Sequence, residues 1–142
     1  MILNHILEIY MIYYVSVTLH ELAHFWVAKA IGLNVKKIQI GDDLFSIKIG
    51  KCSLSINCMY GSGVMFENRE MIKKNRLQMS SFFLAGAVVN LIIMLSGHFL
   101  KDSGGFYADV IFWENLYLLA GSLIPFMAKG NDMNKLMKYW RG

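Results

Sequence analysis

Residues 15–27 read Val15-Ser16-Val17-Thr18-Leu19-His20-Glu21-Leu22-Ala23-His24-Phe25-Trp26-Val27. They form the second half of an apolar run, residues 6–31, in which no Lys or Arg precedes Lys29. A run of that length exceeds the ~20 residues that a helix needs to cross a bilayer. The basic start of a cleaved leader is missing, so the run is expected to be a retained transmembrane helix ending near Gly32. Two further apolar runs follow at 79–100 and 109–128. The first carries Gly86, Ala87, Ser96 and Gly97, small residues that let helices approach closely in lipid. The second has Pro125 near its end.

Composition agrees with this reading. The 142 residues are 56% hydrophobic and 17% charged, with a mean hydropathy of +0.42. Soluble domains carry about 25% charged residues. Disorder and a disulfide scaffold are excluded, since Cys52 and Cys58 are the two cysteines and are expected to stay reduced. Between the first two runs, residues 35–66, the period changes from helical to alternating. Val35, Ile38 and Ile40 precede a Gly41-Asp42-Asp43 turn; Phe45, Ile47 and Ile49 then alternate with polar residues, as do Cys52, Leu54, Ile56 and Cys58. This pattern predicts a meander of two or three antiparallel strands. Open sheet edges cannot face hydrocarbon, so the strands belong at the membrane interface or against the helices. A charged helical lead-in is expected at 67–78 and a short basic, aromatic tail at the surface at 133–140. The fold class is therefore an α-helical integral membrane protein. It has three transmembrane helices, a small interfacial antiparallel β segment, and a single membrane-embedded unit over 1–142.

Of the 14 Lys and Arg, nine lie between residues 29 and 76 and four in the C-terminal tail; Lys101 stands between the second and third runs. The positive-inside rule places the β segment and C-terminus in the cytoplasm and the N-terminus outside. The basic residues track the membrane face, with no arrangement for nucleic acid.

Within the first run, His20 and His24 lie one helical turn apart on one face, so both imidazoles can reach one ion. Glu21 projects beside it, where a carboxylate can take a proton from a water held there. This is the H-E-x-x-H arrangement of zinc metalloproteases. The cost of placing Glu and two His in lipid argues against a mere packing role. His5 and His98 fall near the opposite ends of their helices. The third ligand is therefore a cytoplasmic-side carboxylate: Asp42, Asp43, Glu67, Glu70 or Asp132, the last being best placed once Pro125 breaks the third helix.

These residues, taken in order, resemble the site-2 protease (M50) family of intramembrane zinc metalloproteases. The resemblance rests on His20-Glu21-Leu22-Ala23-His24, the strand-rich stretch, and Ala85-Gly86-Ala87-Val88-Val89-Asn90, similar to A-G-P-x-x-N. It also rests on Ser122-Leu123-Ile124-Pro125 with Asn131-Asp132, similar to N-L-x-P followed by D-G. It implies a minimal three-helix core in which His20, His24 and Asp132 bind Zn2+, Glu21 is the base and Asn90 positions the substrate strand or the oxyanion. The implied partner is a membrane-spanning or membrane-bound peptide, cut near the cytoplasmic face of the lipid bilayer. Ala87, Ser122 and Met133 depart from the family's proline, asparagine and glycine. The alternative expectation is a non-catalytic zinc-binding membrane protein, such as an immunity factor or exporter accessory subunit.

Overall fold

A computed structural model describes residues 2–42, 46–55, 62–66, 74–125 and 130–141. Its elements, in chain order, are α1 (Ile2–Ala30), β1 (Val35–Ile40), β2 (Ser46–Ile49), β3 (Cys52–Ser55), β4 (Gly63–Phe66), α2 (Arg76–Phe99), α3 (Lys101–Leu123) and α4 (Asp132–Arg141).

Neither glycine nor proline interrupts α1. It stops at Gly32, whose φ of +73° is open to a residue without Cβ. The Leu33 N–H donates to Ala28 O at 2.8 Å and the Gly32 N–H to Lys29 O at 3.0 Å, the paired bonds of a Schellman cap. α2 begins at a reciprocal capping box. The Gln78 N–H donates to Asn75 Oδ1 at 2.8 Å, and the Asn75 N–H to Gln78 Oε1 at 3.1 Å. The cap ends the helix there, so residues 74 and 75 are not part of the lead-in helix expected at 67–78; residues 67–73 lie outside the described residues. A single residue, Leu100, separates α2 from α3, which is kinked at Gly105. The chain between the second and third apolar runs is thus helical. Gly97 permits the close packing of these two helices, since a Cβ there would lie 2.8 Å from Phe112 N and 2.9 Å from Ala108 O.

The strands do not form the expected antiparallel meander. They make one mixed sheet of order β2-β3-β1-β4. β1 pairs in parallel with β3 (Ile38 opposite Cys52) and antiparallel with β4 (Ile38 opposite Val64), while β2 and β3 form an antiparallel hairpin. Alternation specifies which side chains share a face and leaves the order of neighbours open. β1 takes the middle because Ile38, Gln39 and Ile40 are all buried. β2 takes an edge with Ile47 and Ile49 exposed. Cys52, Leu54, Val64 and Phe66 pack against a core formed by Val17 and Ala28 of α1, Val35, Ile38 and Ile40 of β1, and Met79, Phe82 and Phe83 of α2. Phe45, Ile56 and Cys58 lie outside the described residues.

Among the described residues one helix, α2, is both long and apolar enough to cross a membrane. α1 and α3 have the length, but α1 carries Glu8, Glu21, Lys29 and three histidines, and α3 carries Lys101, Asp102, Asp109 and Glu114. The expected three apolar spans thus reduce to one by hydropathy. The outward side of α1 is nevertheless apolar, with Leu3, Leu7, Met11, Val15 and Leu19 exposed at intervals of four residues. The expected basic, aromatic tail is helical and forms α4.

Candidate metal centre

α1 brings His20 and His24 together with ring centroids 4.8 Å apart and their Nε2 atoms 3.1 Å apart. Asp132, the first residue of α4, directs Oδ2 at both, 3.3 Å from each Nε2. Among the described residues these three are the group able to hold a metal ion. The separations test the fit. Bonds of about 2.0–2.1 Å in a tetrahedral zinc site place ligand atoms about 3.3 Å from one another. The spacing of the two imidazoles and the carboxylate therefore matches three corners of such a site, and among the described residues no fourth ligand joins them. A partly buried N,N,O donor set of this kind suits zinc.

α2 orients the rings. Phe82, Gly86 and Asn90 lie on one face of that helix at intervals of four. The Nδ1–H of His24 donates to Phe82 O at 2.7 Å. A carbonyl can only accept, so the His24 proton is on Nδ1 and its Nε2 lone pair faces Asp132 and His20. The His20 ring lies against the Gly86 backbone, where a Cβ would be 2.6 Å from Cδ2 and closer still to Cε1 and Nε2. The Asn90 side-chain amide lies 2.9 Å from His20 Nδ1. Glu21 is only 7% exposed, and its carboxyl lies within electrostatic reach of His20, Asp132 and Lys135.

A separate joint places Asp132. Asn131 Nδ2 donates to Gly121 O at 2.8 Å and to Ile124 O at 2.7 Å, closing the end of α3. Its Oδ1 accepts from the Asn134 N–H at 3.0 Å, capping α4. Asn134 Nδ2 in turn donates to Pro125 O at 2.6 Å. The glycine that turns the chain is Gly130, with φ +76°. Met133 therefore needs no glycine's freedom and sits in the first turn of α4. Burial alone would raise the Asp132 carboxyl. When Nε2 of both rings carries a proton, as it can without a metal, hydrogen bonds from His20 and His24, the resulting charge of His24 and that of Lys135, whose Nζ is 3.6 Å from Oδ1, hold it well below the ordinary carboxylate range.

Asp42 accepts from Ser55 Oγ at 2.9 Å; Asp43, Glu67 and Glu70 are outside the described residues. His5 contacts Glu8 and His98 packs beside Phe112. Sequence reasoning missed Asn131 and Asn134 as the residues that place Asp132, although an Asn three residues before another at a helix start is a readable cap signal. It read Gly86 as a helix-packing residue, and the Phe82 carbonyl leaves no mark in a sequence.

Compared with known families, the chain matches the model described as Peptidase family M50 over residues 8–127, a span that includes both histidines and Asn90 and ends before Asp132. No curated protein matches the chain.

Proposed function

The chain belongs to peptidase family M50, a family of membrane-associated zinc metalloproteases, and from that premise we propose that it hydrolyses a peptide bond in a membrane-spanning or membrane-bound peptide near the cytoplasmic face. The observation that carries the proposal is the three-cornered cluster of His20, His24 and Asp132 with a buried carboxylate, Glu21, beside it. His20, His24 and Asp132 would hold the zinc. When bound, the ion lowers the pKa of a water and polarises the scissile carbonyl. Glu21 accepts the proton of the attacking water and returns it to the leaving amine. Its burial keeps bulk water from competing for that transfer.

In this reading α1, α2 and α3 all span the bilayer, and residues 1–142 act as one catalytic unit. The N-terminus lies outside; the sheet and α4 face the cytoplasm. The apolar outward side of α1, matched by Val88, Ile92 and Leu95 on α2 and Trp113 and Tyr117 on α3, supports it. A substrate helix has to unwind before its carbonyl is accessible, and an extended segment can be held by pairing with a sheet edge. Of the two edges formed by the described residues, β4 is linked to the cluster through rings: Phe66 packs on Phe82 at 5.1 Å and Phe82 on His24 at 5.2 Å. β4 is therefore the edge at which the substrate strand would pair.

The test is zinc content and cleavage of a membrane-peptide substrate by detergent-purified variants. Glu21→Gln should abolish cleavage with zinc still bound, and His20→Ala should lose both. Cleavage surviving in Glu21→Gln would refute the assigned base, and a purified wild type free of stoichiometric zinc would refute the metal reading.

A further inference from the structure

We infer that Asn90 is a positioning residue for the metal ligand His20, holding the ring through Nδ1, and not a contact for the substrate. The inference rests on the zinc reading above and concerns which atom of Asn90 meets the ring.

Asn90 is fully buried, and its amide is 2.9 Å from His20 Nδ1. With nitrogen towards the ring, Asn90 donates to Nδ1, the neutral imidazole carries its proton on Nε2, and the carboxamide oxygen is left buried without a partner. Nε2 is the atom that faces His24 Nε2 at 3.1 Å and Asp132 Oδ2 at 3.3 Å. A protonated Nε2 cannot ligate an ion. His24 is already fixed in the opposite tautomer by Phe82 O. Oxygen and nitrogen of a carboxamide have nearly the same shape, so turning the amide by 180° changes no packing. Its oxygen then accepts Nδ1–H from His20, and the Nε2 lone pair is left for the ion.

Both imidazoles are then treated alike. Each donates Nδ1–H to an acceptor on α2, Phe82 O for one and Asn90 Oδ1 for the other, two turns apart on one rigid helix. Gly86, midway between them, gives the His20 ring its room. Partners of this kind orient metal-binding histidines and raise their basicity, and their removal weakens metal binding by about 10–100-fold.

The experiment is a competition titration with a zinc chelator on detergent-purified wild type, Asn90→Ala and Asn90→Asp, with cleavage measured in parallel. Asn90→Ala should bind zinc about 10–100-fold more weakly than wild type. Asn90→Asp should retain the affinity, because a carboxylate accepts the same Nδ1–H yet cannot donate. Zinc affinity unchanged in Asn90→Ala, or lost in Asn90→Asp as fully as in Asn90→Ala, overturns the inference. A residue serving the substrate or the oxyanion would instead show lower kcat in both variants at unchanged zinc affinity. A wild type that binds no zinc removes the reading beneath it, an outcome distinct from either.

Discussion

Gly86→Ala adds one methyl group, and its effect can be worked from the structure. The new Cβ would sit 2.6 Å from Cδ2 of His20 and closer still to two other ring atoms. Non-bonded carbons rest at about 3.5 Å or more, so the ring has to retreat by about 1 Å. It cannot do so freely: Asn90 meets it at Nδ1, and Nε2 belongs to the cluster. Metal–ligand distances tolerate about 0.2 Å, and the retreat exceeds that several-fold. Zinc affinity should therefore fall by about 10–100-fold, the size of effect that losing a ligand's orienting partner has on a metal site. Overpacking should also cost about 1–3 kcal/mol of stability. In an unconstrained helix the same change stabilises, by up to about 1 kcal/mol. Gly121→Ala supplies that control, since its Cβ would meet nothing within 4 Å. Zinc competition titrations and thermal melts in detergent read both quantities. Gly86→Ala binding zinc with wild-type affinity would refute the claim that the imidazole is seated against bare backbone.

Three further outcomes are expected. Asn131→Ala removes a helix cap worth about 0.5–2 kcal/mol and frees the end of α3, so zinc affinity should drop although no ligand has changed; equilibrium dialysis measures it. Asp132 is held below its ordinary value, so in the metal-free protein its contribution to stability is present above the unfolded carboxyl's value of about 3.9 and is lost as pH falls through the lower folded value. Denaturation of metal-free wild type and Asp132→Asn should show a stability gap that closes as pH falls below the unfolded carboxyl's value of about 3.9. Glu114 Oε2 on α3 is buried with no hydrogen-bond partner. Glu114→Leu should therefore raise the melting temperature, by the equivalent of about 1 kcal/mol, because a buried unsatisfied polar atom costs about that much or more.

The legible features were those that depend on period and local chemistry. The helical repeat places His20 under His24 regardless of the rest of the chain, and Gly32 marks the end of α1. The sheet was legible as alternation and illegible as an order of strands, because β1 could pair with either neighbour without moving a side chain to the other face. Asp132 was reachable by elimination and by resemblance alone. It joins the histidines across a long sequence separation through Asn131, whose amide bonds to carbonyls of Gly121 and Ile124 that any residue types would present. The same holds for Phe82, which acts through its backbone.

The failure of α1 and α3 to reach the hydropathy of α2 follows from what each helix does. Average hydropathy sums over a helix and ignores which side each residue occupies. In α1 the polar residues Ser16, Glu21 and His24 are buried, while Val15, Leu19 and Trp26 are exposed, an inversion that suits lipid outside and polar groups within. In α3 Asn115 is fully buried and donates to Ser16 Oγ at 3.1 Å, so its polarity too is directed at α1. α2 supplies a backbone carbonyl, a missing Cβ and one amide to the centre, none of which introduces a charge. It therefore remains the most apolar of the three. If α1 and α3 cross the bilayer as proposed, their low hydropathy is a consequence of the polar groups they direct inward. The exposed side of each helix, and not its mean hydropathy, then decides whether it can lie in lipid.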